Sequence, residues 1–378
     1  MSTLSLKGAS LLLALVSGFA LMPGSALAAE EAVFYIGTYT RNGDSKGIYR
    51  ATLNTDSGAL SQPVLAAETE GPSFLAFHPD GKHLYAVHEP TAGASAFAIE
   101  ADGTLRLLGS EPSQGAGPCH VSVDPQGKNL FVACYSGGSL ASLPIKSDGS
   151  LSPASFVFRN EGSGPNKSRQ EKPHLHAIYS DADGRFVYAC DLGTDEVLIF
   201  KHDAEKGKLT PASPAASKVP PGGGPRHLAL HPGGKFAFVN NEMGNSVSAF
   251  ARDESTGGLT LLQTISTMPE DASQEGVTTS EIFCDPTGKF LYVSNRGHDS
   301  IAAYAIGETG KLTLIEIQPA GVETPRGFGI DPSGRWLVVA GQKSNDLTAL
   351  RIDPATGKLE PGPNRIEVGS PVCVVFAE

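Results

Sequence analysis

The tripeptide Gly-x-Leu recurs seven times along the chain, beginning at Gly58, Gly103, Gly149, Gly207, Gly257, Gly310 and Gly357. Successive copies are 45, 46, 58, 50, 53 and 47 residues apart. A second repeat runs in step with it: an apolar alternating segment, then His/Asp-Pro-x-Gly-Lys/Arg, then another apolar segment. It reads Phe77-His-Pro-Asp-Gly-Lys82, Val123-Asp-Pro-Gln-Gly-Lys128, Leu230-His-Pro-Gly-Gly-Lys235, Cys284-Asp-Pro-Thr-Gly-Lys289 and Ile330-Asp-Pro-Ser-Gly-Arg335, with a degenerate copy at Ser180-Asp-Ala-Asp-Gly-Arg185. A period in the forties with several strands per unit specifies an all-β fold, the β-propeller.

One unit can be written out strand by strand. Residues 226–230 form strand A, 231–235 a tight turn, 236–240 strand B, 245–252 strand C and 259–265 strand D. Their period-two patterning is that of a meander. The glycine of Gly-x-Leu supplies a left-handed position at the C–D turn. Strand A begins at residues 72, 118, 173, 225, 280 and 325 in six complete blades. A seventh strand A lies at 371–376, where the chain ends. Its B, C and D strands are at the other terminus, at 33–37, 47–53 and 60–66. The ring therefore closes by pairing the C-terminal strand A with the N-terminal strand B, which hides both sheet edges. Three loops before strands A are long: 159–172, 211–224 and 266–279.

The first 28 residues stand outside this pattern. Lys7, an apolar run at 9–21 and Ala26-Leu27-Ala28 have the order of a secretory signal peptide, and the run is too short to span a bilayer. The expectation is a single propeller domain at 29–378, exported to the periplasm or secreted. A net charge of −11 argues against nucleic acid and anionic membranes as partners. Cys119, Cys134, Cys190, Cys284 and Cys373 are odd in number and lack metal spacing. Face-packed sheets stand ~10 Å apart, too far for a disulfide. All five are expected to be free, buried, small apolar residues.

The meander also locates a site. Strands A and B are joined by the His/Asp-Pro-x-Gly turn, so the start of A and the end of B share the opposite end of the blade. Starts of A carry His120, His174, His176, Arg226, His227, Glu281 and Arg326. Ends of B carry Thr38, Tyr39, His88, Glu89, Tyr135, Asp191, Asn241, Glu242, Asn295, Arg296 and Gln342, with His298 just beyond. His78 and His231 fall in the turn at the other end and read as turn residues. Polar strand ends often only cap blades, and for any single residue that reading holds as well as function. The set points to a site, because Arg226, Glu242, Arg296 and Arg326 occupy matched positions in three consecutive blades. Crowded like charges cost free energy unless carboxylates or an anion offset them. His174-Leu-His176 offers two imidazoles but no third ligand, so no metal and no cofactor are expected. No nucleophile elbow or phosphate loop is present.

Several of these segments are similar to a known family. They are Phe34-Tyr-Ile-Gly-Thr-Tyr-Thr40, Arg169-Gln170, Pro173-His-Leu-His176, Cys190-Asp-Leu-Gly-Thr-Asp195, Gly224-Pro-Arg-His227, Asn241-Glu242, Ser280-Glu281-Ile282 and Ser294-Asn-Arg-Gly-His-Asp299. Together they resemble the seven-bladed propeller lactonases, which include propeller-type 6-phosphogluconolactonases and carboxy-cis,cis-muconate lactonizing enzymes. The resemblance spans the whole chain after residue 28. It implies hydrolysis, or reversible formation, of a small-molecule sugar-acid or related lactone, phosphorylated or not, with a catalytic group of His176, Arg226, Glu242 and Arg296. The surrounding substrate contacts would be His174, Asp191, His227, Glu281, His298 and Arg326.

The residue types suit that chemistry. Lactone hydrolysis needs a base for water, donors for the oxyanion and an acid for the leaving alkoxide. His176 or Glu242 can serve as base, and the arginines can hold an anion bidentately. The alternative is a non-catalytic exported propeller that binds a sugar acid, a cell-wall fragment or a protein. A mouth lined by Arg, His and Glu favours chemistry, and a flat apolar face favours protein binding.

Overall fold

The computed structural model of the protein describes residues 1–2, 31–41 and 44–377. Apart from residues 1–2, the inferred signal peptide lies outside the described residues. Seven four-stranded antiparallel sheets stand in a ring, and among the described residues there is no helix. Strand A of each blade packs on strand A of the next, and the last returns to the first.

The Gly-x-Leu repeat acts between blades. All seven glycines sit at positive φ, from 57° to 82°, in the C–D turns. A Cβ on Gly257 would stand 2.5 Å from the Phe186 ring of the preceding blade. Gly310 and Phe236, Gly357 and Phe290, Gly58 and Trp336, and Gly149 and His83 repeat that contact. The glycine carbonyl also accepts a tyrosine hydroxyl from the preceding blade, as in Tyr188 to Gly257 at 3.0 Å and Tyr292 to Gly357 at 3.0 Å. Only glycine supplies both the left-handed turn and the seat for the ring. The core is accordingly divided into seven apolar clusters, one in each cleft between blades.

Ring closure is as the repeat demands. Pro371–Phe376 pairs antiparallel with Glu31–Thr38, in a register that sets Phe34 against Phe376 and Ile36 against Val374.

Three local expectations need correction. Strand D of this closing blade is Val64–Glu68 rather than 60–66, with Leu60 making only a single bridge to Leu53. Pro63 has no N–H to donate there. The segment 211–224, read as a loop, is largely the strand Lys208–Lys218. It carries Pro211 and Pro214 because it is an outermost strand with a free edge. The five cysteines are free as expected, but Cys119 and Cys284 are partly exposed.

Candidate active site

At the end of the ring opposite the His/Asp-Pro-x-Gly turns lies a cavity of about 410 Å³. Tyr39, Glu89, Arg169, His176, Arg296 and Arg326 face it, with Glu242 at its floor. Hairpin geometry brings Glu242 there. Its N–H bonds the Gly224 carbonyl at 2.7 Å, which fixes the end of strand B beside Arg226 at the start of strand A. Its carbonyl accepts the Thr279 N–H of the next blade at 3.2 Å.

Glu242 is the hub of the charges. Oε1 accepts from Arg169 Nη2 at 2.7 Å, while Oε2 lies 3.1 Å from Arg226 Nε and 3.2 Å from Arg296 Nη2. Glu242 is 4 % exposed. Burial alone would raise its pKa, but Arg296, Arg226 and Arg169 outweigh burial and hold it down at about 2. Both oxygens are engaged and the group is a weak proton acceptor, so it organises guanidinium groups. Burial lowers Arg296 to about 9 against the pull of Glu242.

Arg169 comes from the long loop before blade three. Gln170 beside it is fully buried and donates to the Leu192 carbonyl at 2.9 Å and to Asp195 at 2.7 Å. That anchor aims Arg169 inward, where it also donates to the Tyr135 hydroxyl at 3.3 Å.

His176 is a buried imidazole in the cavity wall. Its ring lies 5.5 Å from Tyr135 and 5.3 Å from His227, and Nδ1 is 3.9 Å from Cys119 Sγ. Burial first, then the charges of Arg226 and His227, push its pKa well below the ordinary 6.5. The ring is neutral, and the same surroundings make it a weaker base than a free imidazole.

The other expected contacts separate into two groups. Arg326 faces the cavity, its guanidinium 5.3 Å from the Tyr39 ring. Arg226, His227 and Glu281 lie beneath, each at most 3 % exposed. His227 Nδ1 is 2.6 Å from Glu281 Oε1, its Nε2 is 3.3 Å from Arg226 Nη1, and Arg226 also donates to the Ser280 carbonyl. These three form a supporting layer around a void of about 10 Å³ shared with Glu89 and Cys119.

His174, Asp191 and His298 do not line the cavity. Strand A of blade three starts at Leu175, and its register shifts between Leu175 and Ala177. The bulge breaks the alternation that would align His174 with His176. His174 instead stacks on Tyr135 at 4.4 Å. Asp191 is fully buried and accepts from the N–H groups of His174 and Gly193 and from Asn160, which makes it a latch for the loop. His298 is exposed and bonds Ser300 at 2.7 Å. Arg169, Glu89, Tyr39 and Cys119 were missed as site residues. Tyr39 and Glu89 stood among the strand-B ends and Arg169 in the family-like loop, but no local signal ranked them.

Three buried imidazoles, His120, His176 and His227, have pKa values driven well below 6.5, chiefly by burial. Burial also lifts Glu281 to about 8. The unfolded chain takes up three imidazole protons as pH falls through about 6.5, and the folded chain takes none on His120 or His176. The His227–Glu281 pair holds one proton in both states between pH ~4.5 and ~6.5, so it cancels. Two protons at ~1.36 kcal/mol per pH unit then give a stability loss of ~2.7 kcal/mol per unit as pH falls below about 6. Denaturant titrations at pH 7 and 5.5 check this, and equal stability at the two would mean that these rings are charged in the fold.

The sequence model for "Lactonase, 7-bladed beta-propeller" matches residues 33–376. A Bacillus subtilis 6-phosphogluconolactonase is 36 % identical over 346 residues, covering 90 % of this chain and 97 % of its own. A Formosa agariphila 6-phosphogluconolactonase is 35 % identical over 88 % of this chain and 96 % of its own. The structure of a periplasmic gluconolactonase from Pseudomonas aeruginosa superposes with a TM-score of 0.87 at 32 % identity, covering 92 % of this chain and 99 % of that one. The match runs through every blade and both closing strands, and the chain belongs to the seven-bladed β-propeller lactonase family.

Proposed function

We propose that the protein hydrolyses a sugar-acid lactone in the cavity above Glu242. The observation that carries this is a neutral imidazole, His176, in one pocket with an excess of guanidinium groups. Arg169, Arg226, Arg296 and Arg326 face or underlie the cavity against the carboxylates of Glu242 and Glu89. Such a pocket suits an anionic substrate and the oxyanion that forms when water adds to its carbonyl. The exposed apolar side chains Val64, Leu107, Leu261 and Leu314 sit on outer strands, Phe283 sits on an inner strand, and none of them lines this cavity. That distribution disfavours a protein-binding face.

In the mechanism, His176 removes a proton from water as its oxygen bonds the lactone carbonyl carbon. Arg296 and Arg326 stabilise the oxyanion. Collapse breaks the ring C–O bond, the imidazolium returns the proton to the departing alkoxide, and the product is the open hydroxy acid. Glu242 keeps the arginines in place and takes no proton. The relatives are named for gluconolactone and its 6-phosphate, and both are candidate substrates for this chain.

The test is a pH-stat assay of the purified protein on gluconolactone, 6-phosphogluconolactone and muconolactones, with spontaneous hydrolysis subtracted. The parent should turn over at least one of them, and His176→Ala should lose roughly 10²-fold or more in kcat with its fold kept. No hydrolysis of any lactone by the parent would return the binding-module reading.

The Lys7, apolar-run and Ala-Leu-Ala order supports export to the periplasm with Ala29 as first residue. Mass analysis of the N-terminus of protein from the periplasmic fraction checks it, and an intact Met1 there would refute it.

A further inference from the structure

We infer that His78, Asp80 and His83 form a binding site for a divalent transition-metal ion at the A–B turn of blade one, on the end of the propeller opposite the cavity. One ligand atom from each, an imidazole nitrogen of either histidine and a carboxylate oxygen, lies within 4.8 Å of the others. Asp80 Oδ1 is 3.0 Å from His78 Nδ1, and Oδ2 is 2.9 Å from His83 Nδ1.

Comparison between blades shows that this is more than the ordinary turn. In blades three, five and six the turn opens with Asp181, Asp285 or Asp331, whose carboxylate caps N–H groups further along the turn. Blades one and four open with histidine instead. His231 Nδ1 accepts the Gly233 N–H at 2.9 Å, and its Nε2 donates to the Gly288 carbonyl of the next blade at 2.9 Å. His78 does the same with Asp80 N–H at 3.1 Å and the Gly127 carbonyl at 2.9 Å. So far the histidine is structural. Blade four, however, has Gly233 and Phe236 where blade one has Asp80 and His83. His83 occupies the ring seat over Gly149 that Phe186, Phe236, Phe290 and Trp336 occupy over the equivalent glycines. A flat apolar ring suffices in that seat, and an imidazole there loses hydration unless its nitrogens are used.

The bonding of His78 shows which of its nitrogens could bind a cation. Its two backbone partners fix the tautomer with the proton on Nε2 and a lone pair on Nδ1. That lone pair accepts the Asp80 N–H, and Asp80 Oδ1, which accepts the Lys82 N–H at 2.7 Å, lies 3.0 Å from it. A metal ion at Nδ1 would replace the backbone N–H as its partner. The same ion would draw on Asp80 and on His83 Nδ1, which stands 2.9 Å from Asp80 Oδ2. Two imidazole nitrogens and one carboxylate oxygen select Zn²⁺ and its neighbours over Ca²⁺ or Mg²⁺. The side chains of His78, Asp80 and His83 are 16 %, 34 % and 15 % exposed, which leaves room for water to complete the coordination. A bound ion would tie the turn of blade one, through His78, to Gly127 of blade two.

The test uses untagged, EDTA-treated protein titrated with zinc chloride by calorimetry, beside a thermal melt with and without zinc. Saturable 1:1 binding and a raised Tm are expected, with no comparable heat from calcium. Asp80→Asn and His83→Phe should each weaken zinc binding by at least ~10-fold. His83→Phe installs the ring already used in three other blades, so it keeps the fold. Absence of 1:1 binding in the parent, or equal zinc affinity in His83→Phe, would overturn the site. Neither readout depends on lactone turnover.

Discussion

Removal of residues 370–378 is expected to abolish cooperative folding. The deletion takes out strand A of the closing blade, Pro371–Phe376, which pairs with Glu31–Thr38 on one side and packs on its neighbours around the ring. Val372, Val374 and Phe376 are each at least nine-tenths buried. At ~2 kcal/mol per buried side chain their loss alone removes ~6 kcal/mol, comparable with the whole stability of many domains. The deletion also bares the edge of Glu31–Thr38, an invitation to pair with another chain. The expected product is aggregated or melts without a sharp transition. A truncated protein that melts as sharply and as high as the parent would show that the ring does not depend on this closure.

Glu242→Gln should have the second largest effect, on stability and turnover together. The substitution keeps shape and removes the one negative charge that Arg169, Arg226 and Arg296 share. Leaving buried guanidinium groups without their carboxylate costs roughly 3–5 kcal/mol. Arg296, already held at about 9, should fall further, and part of the cost should appear as a lost proton. Substrate binding should weaken as the arginines separate, so KM rises along with a fall of roughly 10²-fold in kcat/KM. Denaturation and steady-state kinetics read the two effects side by side. An undiminished stability with the whole loss in kcat would instead make Glu242 the base and remove that role from His176.

The fold was legible because its determinants are local and repeated. Gly-x-Leu and His/Asp-Pro-x-Gly fix turns, alternation fixes the strands between them, and seven copies leave little choice of blade number. Strand A of blade four was read at 226–230 and is Pro225–Leu230. The two misplaced outer strands show the limit. Prolines at 63, 211 and 214 read the same in a loop as on an exposed sheet edge, because both lack a hydrogen bond to lose.

The site was legible only in part. Period-two logic placed His176, Arg226, Glu242, Arg296 and Arg326 at one end of the ring, and there they stand. It did not separate Arg326, which faces the cavity, from His227 and Glu281, which are sealed beneath Arg226. Nor did it separate His176 from His174, because a single bulge decides which imidazole looks inward.

The sequence by itself determined the number of blades, the closure of the ring and the end that carries charge, since each follows from backbone turns and strand alternation within a few residues. Only the tertiary structure decided which charges meet. Arg169 reaches Glu242 across 73 residues, and Asp80 lies between two histidines because the ring of His83 is seated on a glycine of the next blade. Those contacts depend on how neighbouring blades pack side chain against side chain, and no periodicity within one blade encodes them.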